Sequence, residues 1–593
     1  MAERGAEQGT WSGAGAIRLV VGLVQAIAIY SLIRTDEAKV WPASEPLLFT
    51  PLVLISLYVP LIVLAGVSGL KRATLVVWTL VAILFLAGLA IHDVVRESSI
   101  DQHLPSFPVF AFTAAALFVG HHLIAAADAE RKFIASYPAY FDAAWKNGVQ
   151  LALSLAFVSV FWMVLGLGAA LFNVIGIDFL QVLIGKPEFA IPATTLSFAA
   201  AVHITDVRVD LIRGIRTVGL TLLSWLLPVM GIIAVGFVAS LPFTGLQPLW
   251  DTGSATPLLL SSAAVLILLT NATYQDGGAA VAPSLRWACR GAAILLPIFV
   301  GIASYAVWLR IDQHGLTPDR IIAAALILVA VIYAIGYFVA AVWPGRWLRP
   351  LEKTNVAAAV FILAVIVALF TPIADPARIA VADQVRRLEQ GLVSVDEFDF
   401  EFLRFDGARY GRDALQRLTR DASGPDAARI AEKARAALEL ENPWERKTVT
   451  QFSQVDLSVF PVDATLPQSF LDQDWGEEGF VPCLSTSEAC DAFVVELNGD
   501  GEAEILVGSA GNYSVFDRSA DGRWRLAGSL EPAWCDGIGE ALREGRWAAA
   551  PPVWNDLVVG DQRLRLSLRT GCAEGVDAAP ETEDAPTSDA LPE

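Results

Sequence analysis

Long apolar stretches fill the first two-thirds of the chain, and shorter, interrupted stretches follow them. Runs of about 20 apolar residues, the length that crosses a bilayer core about 30 Å thick, predict membrane-spanning helices. Eleven such runs lie near 16–33, 47–70, 73–92, 107–127, 148–172, 189–205, 217–240, 256–274, 288–309, 320–342 and 355–373. The sixth run is short and contains Pro192 and His203, so hydropathy alone leaves this span open.

The lysine and arginine residues of the connecting segments test the sixth span. Cytoplasmic loops of membrane proteins carry an excess of both residues. With eleven spans and a cytoplasmic N-terminus, fifteen of these residues lie inside and six outside, whereas without the sixth span the counts become nine and twelve. The charge pattern therefore favours eleven spans and a C-terminal region outside the cytoplasm.

The region after residue 373 has the pattern of a soluble α+β domain. Helical spacing predicts one buried face made of Val381, Val385, Leu388 and Leu392. Later runs predict strands at 493–496, 504–507, 513–516, 524–527 and 564–568. The fold class predicted is an α-helical polytopic membrane bundle followed by an α+β domain outside the cytoplasm. Its parts are a polar tail over 1–15, a transmembrane domain over 16–373, a helical segment over 374–448, a β-rich domain over 449–574 and a disordered acidic tail over 575–593.

Composition and charge agree with this division. Of the 593 residues, 55% are apolar and 18% charged, against about 45–50% and 25% in soluble domains. Residues before Ala374 include 20 acidic and 21 basic ones, and the rest of the chain has 42 acidic and 21 basic ones, so the net charge of -20 belongs to the C-terminal third. A single soluble enzyme, a basic nucleic-acid-binding protein and a fully disordered chain are excluded.

Four of the five cysteines lie in the C-terminal region, at Cys483, Cys490, Cys535 and Cys572. In an oxidising compartment an even set of cysteines forms disulfides, here most simply Cys483 with Cys490 and Cys535 with Cys572. Four cysteines allow three pairings, and four reduced buried thiols are the alternative.

One loop in this region has the composition of a calcium site. Oxygen-bearing side chains recur at every second position, at Glu496, Asn498, Asp500, Glu502 and Glu504, and Gly501 allows a tight turn. The spacing is similar to the calcium loops of FG-GAP-type β-repeats, which implies bound Ca²⁺. The EF-hand pattern fails because Val507 stands where that loop has its bidentate glutamate. A metal-free Asn-Gly-Asp-Gly turn between two strands is the alternative.

Polar residues also cluster near the predicted cytoplasmic ends of spans. After the sixth span, residues at i, i+3, i+7 and i+10 share one face of a continuous helix, and after the eighth span four more follow closely. The two sets are His203, Asp206, Asp210 and Arg213, and Asn271, Tyr274, Gln275 and Asp276. Both are candidates for a substrate path, because ionisable groups near hydrocarbon are costly. Helix ends and interhelical hydrogen bonds are the structural alternatives.

His121 and His122 end the fourth span, where an interfacial position is the simplest interpretation. The sequence contains no phosphate-binding Gly-x-x-x-x-Gly-Lys loop, no His-Glu-x-x-His helix, no Gly-x-Ser-x-Gly elbow and no Cys-x-x-Cys. These absences weaken the case for an enzyme without closing it, since scattered carboxylates converge only in three dimensions.

The chain resembles the DUF4153 family of bacterial membrane proteins. The resemblance rests on AVHITDVR at 201–208, RTVGLTLLSWLLP at 216–228, LPFTGLQPLWDT at 241–252 and NATYQDG at 271–277, and extends into QVRRL at 384–388, FLRF at 402–405 and YGRDAL at 410–415. It implies a cytoplasmic-membrane protein of a Gram-negative bacterium with a periplasmic C-terminal region. It implies no catalytic residues.

Three hypotheses for function follow. The first is a transporter-like membrane domain with a periplasmic domain that senses or binds a partner. The second is an envelope scaffold or signal transducer, and the third is a membrane-embedded transferase acting on a lipid-linked substrate. A polar cavity at mid-depth would favour transport, a solid bundle the scaffold, and a periplasm-facing cavity with convergent carboxylates the enzyme. All three place the chain in a lipid bilayer, allow a periplasmic protein partner and involve no nucleic acid.

Overall fold

The computed structural model divides the chain into two compact units, Met1–Glu439 and Leu440–Glu593. It describes residues 2–97, 104–277, 281–344, 347–422, 424–440, 451–455, 457–461, 463–475, 482–485, 490–509, 512–519, 522–530, 538–550, 557–559 and 562–564.

The first unit is helical, and the described part of the chain contains eleven helices long and apolar enough to cross a membrane. This count confirms the sequence prediction. The eleven are α1 (Ala2–Glu37), α2 (Pro46–Gly66), α3 (Arg72–Glu97), α4 (Phe107–Glu130), α5 (Tyr137–Val174), α7 (Pro187–Val207), α8 (Val209–Thr244), α10 (Ala255–Tyr274), α11 (Pro283–His314), α12 (Pro318–Val342) and α13 (Pro350–Leu369). Two short helices, α6 (Phe179–Ile184) and α9 (Gln247–Asp251), lie between them.

The sixth span, uncertain from hydropathy, is the helix α7. It continues through Pro192, and Pro187 in its first turn costs no hydrogen bond. Small residues bring α7 close to α1, because a Cβ on Gly22 would lie 3.0 Å from the Cβ of Ala199. Such close contact of small residues drives helix association where no water is present.

Contacts between helix termini define two ends of this unit. The Arg18 end contains the first half of α1 and the α2–α3, α4–α5, α7–α8, α10–α11 and α12–α13 connections. The opposite α14 end leads into four more helices, α14 (Pro376–Glu389), α15 (Phe400–Phe405), α16 (Ala408–Asp421) and α17 (Ala427–Glu439).

The apolar face predicted for α14 is mostly buried. Val381 and Leu388 are buried, and Val385 packs against the same core of α14–α17. Leu392 is 63% exposed instead. Its inclusion was wrong because α14 ends at Glu389 and Gly391, with φ +68°, turns the chain away.

The second unit contains a mixed five-stranded sheet in chain order. Its strands are β1 (Leu457–Phe460), β2 (Cys490–Val495), β3 (Glu504–Ser509), β4 (Asn512–Arg518) and β5 (Trp524–Leu530). β1 pairs parallel with β2, and the other pairs are antiparallel. A core of aromatic rings, including Phe452, Phe470 and Trp475, packs with Phe516 of β4.

Short elements complete this unit. They are the helices α18 (Gln468–Leu471), α19 (Pro482–Ser485) and α20 (Ile538–Arg543), and a hairpin of β6 (Leu557–Val559) and β7 (Gln562–Leu564). Cys483 and Cys490 form the predicted disulfide, with an S–S distance of 2.14 Å. Cys535, Cys572 and the tail over 575–593 lie outside the described residues.

Candidate functional site

Two of the predicted path residues, His203 and Asp206, meet a buried arginine of α1. Arg18 is 1% exposed. Its Nη2 donates to Asp206 Oδ2 at 2.9 Å, and its Nη1 lies 3.3 Å from His203 Nδ1. Ser68 and Lys146 also contact Asp206, at 2.6 Å and 3.6 Å. These five residues, named here the Arg18 cluster, join α1, α5, α7 and the end of α2.

The backbone around this cluster explains its formation. Arg18 Nε donates to the carbonyl oxygen of Leu64, the third residue from the end of α2, at 3.1 Å. A Cβ on Gly15 would lie 2.9 Å from His203 Nε2, so glycine leaves room for the imidazole beside α1. The guanidinium therefore has four hydrogen-bonding partners, namely the Leu64 carbonyl oxygen and the side chains of Ser68, His203 and Asp206. Without them a buried cation would be costly in a membrane.

Asp210 and Arg213 do not join this cluster. They pair with each other at 3.2 Å, with side chains 97% and 68% exposed. The expected common helical face is wrong, because α7 ends at Val207 and Arg208 has φ -96° and ψ 58°, outside the helical region. The break starts a new helix, α8, in another direction.

A second polar cluster at the Arg18 end carries no charge. Asn271 Nδ2 donates to Tyr337 OH at 2.8 Å, and Tyr337 OH donates to Asn355 Oδ1 at 2.9 Å. Asn355 Nδ2 donates to Asn271 Oδ1 at 2.7 Å and to Tyr137 OH at 3.2 Å. This Tyr–Asn network joins α5, α10, α12 and α13 by side-chain hydrogen bonds.

The other three candidates of the second set lie at the end of α10. Tyr274 is buried and donates to Glu352 Oε1 at 2.7 Å. Gln275 adopts φ 55° just after the helix, and Asp276 is exposed. Only Asn271 of this set therefore belongs to the Tyr–Asn network.

A groove of about 420 Å³ runs beside the Tyr–Asn network. Its walls come from α4, α5, α10, α12 and α13, and none of its lining residues is charged. Tyr137, Asn271 and Asn355 face it together with Tyr333 and several aromatic or aliphatic side chains. An apolar concave surface with a few hydrogen-bonding groups is the usual form of a small-molecule site.

The groove borders two groups of helices, each with its own apolar core. One core joins α8, α10, α11 and α12 with the starts of α5 and α13. The other joins α2, α3 and α4 with the start of α12 and the distal part of α13. Tyr137 and Phe141 of the lining belong to the first core, whereas Phe118 and Leu123 come from α4 of the second helix group. Relative movement of the two helix groups would therefore change the width of the groove.

A smaller cavity of about 190 Å³ lies between α2, α4, α5 and α7. His121 and His122 line it, and both are buried rather than interfacial. Trp78 Nε1 donates to His121 Nδ1 at 3.3 Å. The burial differs from the interfacial position expected because the two rings fill space between α4 and its neighbours.

At the α14 end, a cavity of about 420 Å³ brings carboxyl groups together. Glu97, Asp319 and Asp406 line it with Arg96. Partial burial, with the charges of Asp399 and Asp319, raises the pKa of Asp406. Sequence reasoning missed this convergence because the residues come from three distant segments.

The predicted calcium loop joins β2 to β3. Carboxylate oxygens of Glu496, Asp500 and Glu504 lie within 4.8 Å of one another. Asn498 Oδ1 instead accepts a hydrogen bond from the Asp500 backbone at 2.8 Å, and Glu502 is exposed outside this group. Three hard oxygen donors fit a divalent cation such as Ca²⁺.

In the two polar clusters, the residues that sequence reasoning missed are Arg18, Ser68, Lys146, Tyr137, Tyr337 and Asn355. Arg18 carried a usable signal, since it is a lone charge close to the start of an apolar run. The tyrosines and Asn355 carried none, because single polar residues near span ends are common.

Comparison with known proteins assigns the helical region to a family. No curated protein and no solved structure matches the chain. The family model described as "Domain of unknown function (DUF4153)" matches residues 51–420, from α2 into α16, which is more than half of the chain. The protein is therefore a member of the DUF4153 family.

Proposed function

We propose that the protein is a transporter-like protein of the bacterial inner membrane, with its N-terminus in the cytoplasm and its C-terminal unit in the periplasm. The observation that carries this proposal is the groove bordered by both helix groups, which lies nearer the Arg18 end than the mid-depth expected of a transport cavity. Hydrogen bonds between helices account for most polar atoms of the Tyr–Asn network, but a scaffold does not need the open space beside them.

The lining of the groove defines the class of substrate. Aromatic and aliphatic walls favour an apolar body, and the hydroxyl and amide groups of the Tyr–Asn network favour neutral polar groups. Since no lining residue is charged, a strongly charged solute would lose its hydration without compensation. The substrate proposed is an uncharged amphipathic molecule.

Distance measurements between spin labels test the movement that transport requires. Val77 of α3 and Trp287 of α11 are 60% and 71% exposed at the Arg18 end and belong to different helix groups. Labels at Val77→Cys and Trp287→Cys, with alanine at Cys289, Cys535 and Cys572, should give two distance populations. The control pair Trp287→Cys and Val342→Cys lies within one group and should give one.

A single narrow distance for both pairs would contradict transport and favour the scaffold. Sidedness has its own test, because Cys483 and Cys490 become thiols on reduction. An impermeant thiol reagent should label them in cells with an intact inner membrane after external reduction, and labelling only after permeabilisation would reverse the orientation.

We also propose that the C-terminal unit is a periplasmic binding or sensing domain that holds Ca²⁺ at Glu496, Asp500 and Glu504. Calorimetric titration of Ca²⁺ into the full-length protein should give binding heat that Asp500→Asn removes. Glu502→Gln, in the same loop but outside the group, should leave the heat unchanged. Absence of heat from the unchanged protein would rule out the site.

A transferase acting on a lipid-linked substrate is the second candidate function. The cavity with Glu97, Asp319 and Asp406 supports it, because a carboxyl group of raised pKa can act as a general acid. Cells that lack the protein, and cells with Asp406→Asn and Asp319→Asn, should accumulate the same lipid-linked species by mass spectrometry. Asp426→Asn, an exposed carboxyl group outside the cavity, is the control, and unchanged lipids would exclude this function.

A further inference from the structure

The small cavity between α2, α4, α5 and α7 has the form of a lipid-binding site. Most of its wall is aliphatic or aromatic, including Leu61, Leu117, Phe198 and Val202. None of its lining residues carries a fixed charge. A cavity of about 190 Å³ is smaller than the roughly 300–1,000 Å³ of sites that enclose a whole drug-sized ligand.

One polar atom of this cavity has no partner. His122 is 6% exposed, and its Nε2 is buried without a hydrogen bond in the described structure. Its Nδ1 lies 2.5 Å from the carbonyl oxygen of Phe118 on the same helix. Because a carbonyl only accepts, Nδ1 carries the proton, and in the neutral ring Nε2 is left as an acceptor that points away from α4.

Three neighbouring polar residues have partners of their own, and Asn147 also lines the cavity. Tyr58 OH donates to the Phe110 carbonyl oxygen at 2.9 Å, and Gln150 Nε2 donates to the Val202 carbonyl oxygen at 3.0 Å. His121 Nδ1 accepts from Trp78. An unpaired buried acceptor destabilises a protein. A ligand that donates a hydrogen bond to His122 Nε2 would remove this cost.

We propose that this cavity binds the hydroxyl head of an uncharged lipid that has a single hydroxyl group, such as a long-chain or isoprenoid alcohol. The hydroxyl donates to His122 Nε2, and the first carbons fill the aliphatic wall. Phe118 and Leu151, at 40% and 38% exposure, border the cavity on the outer surface of the bundle. The tail leaves between them into the hydrocarbon of the bilayer.

Depth and charge exclude a phosphate-headed lipid. His122 lies eight residues before the end of α4 at Glu130, about 12 Å along the helix axis at 1.5 Å per residue. A phosphate at this depth needs cationic partners, and the lining residues supply none. A single hydroxyl needs one hydrogen bond, which His122 provides.

This inference goes beyond the proposed function and does not depend on it. The cavity shares Phe118 with the groove, but its other lining residues differ. Binding at His122 requires no movement of the two helix groups. A failure of the spin-label experiment and a failure of the test below are therefore separate results.

Photolabelling of the full-length protein in nanodiscs tests the proposal. The probe is a sixteen-carbon alcohol with a diazirine close to its hydroxyl, and the matched probe is its methyl ether, which cannot donate. Mass spectrometry should find the alcohol on cavity residues of α4, α5 or α7 at about ten times the yield of the ether, as one buried hydrogen bond allows.

Variants of His122 separate hydrogen bonding from packing. His122→Phe should remove the preference for the alcohol, and His122→Gln, whose amide oxygen accepts, should keep it. Thr113→Val removes a second unpaired buried polar group of α4, a hydroxyl that lies outside the cavity, and should have no effect on the preference for the alcohol. Equal labelling by the two probes in the unchanged protein, or an unchanged preference in His122→Phe, would overturn the proposal. If His122→Phe does not fold, the comparison of probes in the unchanged protein and in His122→Gln still decides.

Discussion

The Arg18 cluster and the Tyr–Asn network lie at the same end of the helical unit but use opposite chemistry. Both join helices that are far apart in sequence. The first surrounds one buried cation with a carboxylate, an imidazole, a hydroxyl and a backbone carbonyl. The second links two tyrosines and two asparagines without any charge.

This difference predicts that the Arg18 cluster holds its helices in one arrangement, as a fixed joint, whereas the Tyr–Asn network allows its helices to adjust. Removing a partner from a buried ion pair leaves an uncompensated charge, so the Arg18 cluster fixes α1 against α2 and α7. Amides and hydroxyls can exchange donors and acceptors at a much lower cost. The network therefore suits a wall of the groove whose side chains can pair again, and the following predictions test this contrast.

The largest effect is expected at Asp206. Asp206→Ala leaves Arg18 buried without its anion, which should lower the free energy of unfolding by about 3–5 kcal/mol. Circular dichroism during titration with sodium dodecyl sulfate in mixed micelles measures this change. Asp206→Asn keeps the hydrogen bonds and should lose less. A loss below about 1 kcal/mol for Asp206→Ala would contradict a fixed joint.

A third cluster, at the α14 end, should make the stability of the fold depend on pH. Asp375 is fully buried, lies 3.0 Å from His92 Nε2, and caps α14 by accepting from the Ala377 and Arg378 backbone. Burial alone would raise the pKa of Asp375, but the hydrogen bond with His92 and the charge of Arg96 lower it overall.

Asp375→Asn should therefore cost about 2 kcal/mol at neutral pH, from the lost charge-assisted hydrogen bond with His92, since asparagine still caps the helix. A depressed carboxyl pKa stabilises the fold above the unfolded value near 4, and this stabilisation is lost as the pH falls through the folded value. Unfolding curves at pH 7 and pH 3 should show the variant's deficit shrinking at the lower pH. An equal deficit at both would mean that ionisation of Asp375 does not contribute.

A smaller loss is expected in the neutral network. Asn355→Ala removes two donated hydrogen bonds and one accepted bond, yet the remaining groups can pair again, so the loss should be about 1–2 kcal/mol. Tyr337→Phe alone and together with Asn355→Ala completes a double-mutant cycle. A coupling energy as large as that between Arg18 and Asp206 would show that the network is as rigid as the charged cluster.

The span count and the family followed from the sequence because hydropathy, loop charge and family motifs are local signals. The position of His203 and Asp206 beside Arg18 was not predictable, since it depends on the packing of α1 against α7. The common face of Asp206 and Asp210 failed at Arg208, where one non-helical residue redirects the chain. The sequence predicts an interfacial position for His122 because this residue lies near the end of the fourth span. The cavity that His122 lines depends on how α4 packs against its neighbours, which the sequence does not show.

The smallest effect is expected at Asp210, which the sequence placed on the same face as Asp206. Its side chain is 97% exposed, and its partner Arg213 is 68% exposed. An exposed ion pair at i, i+3 contributes about 0.5 kcal/mol or less, so Asp210→Ala should be nearly silent under the conditions that detect Asp206→Ala. A large loss for Asp210→Ala would mean that α7 and α8 form one continuous helix whose polar face is shared. If Asp210→Ala does not change the stability, Asp206 is the carboxylate that holds Arg18. The part of the chain that the Arg18 cluster holds in place then ends with α7, at Val207.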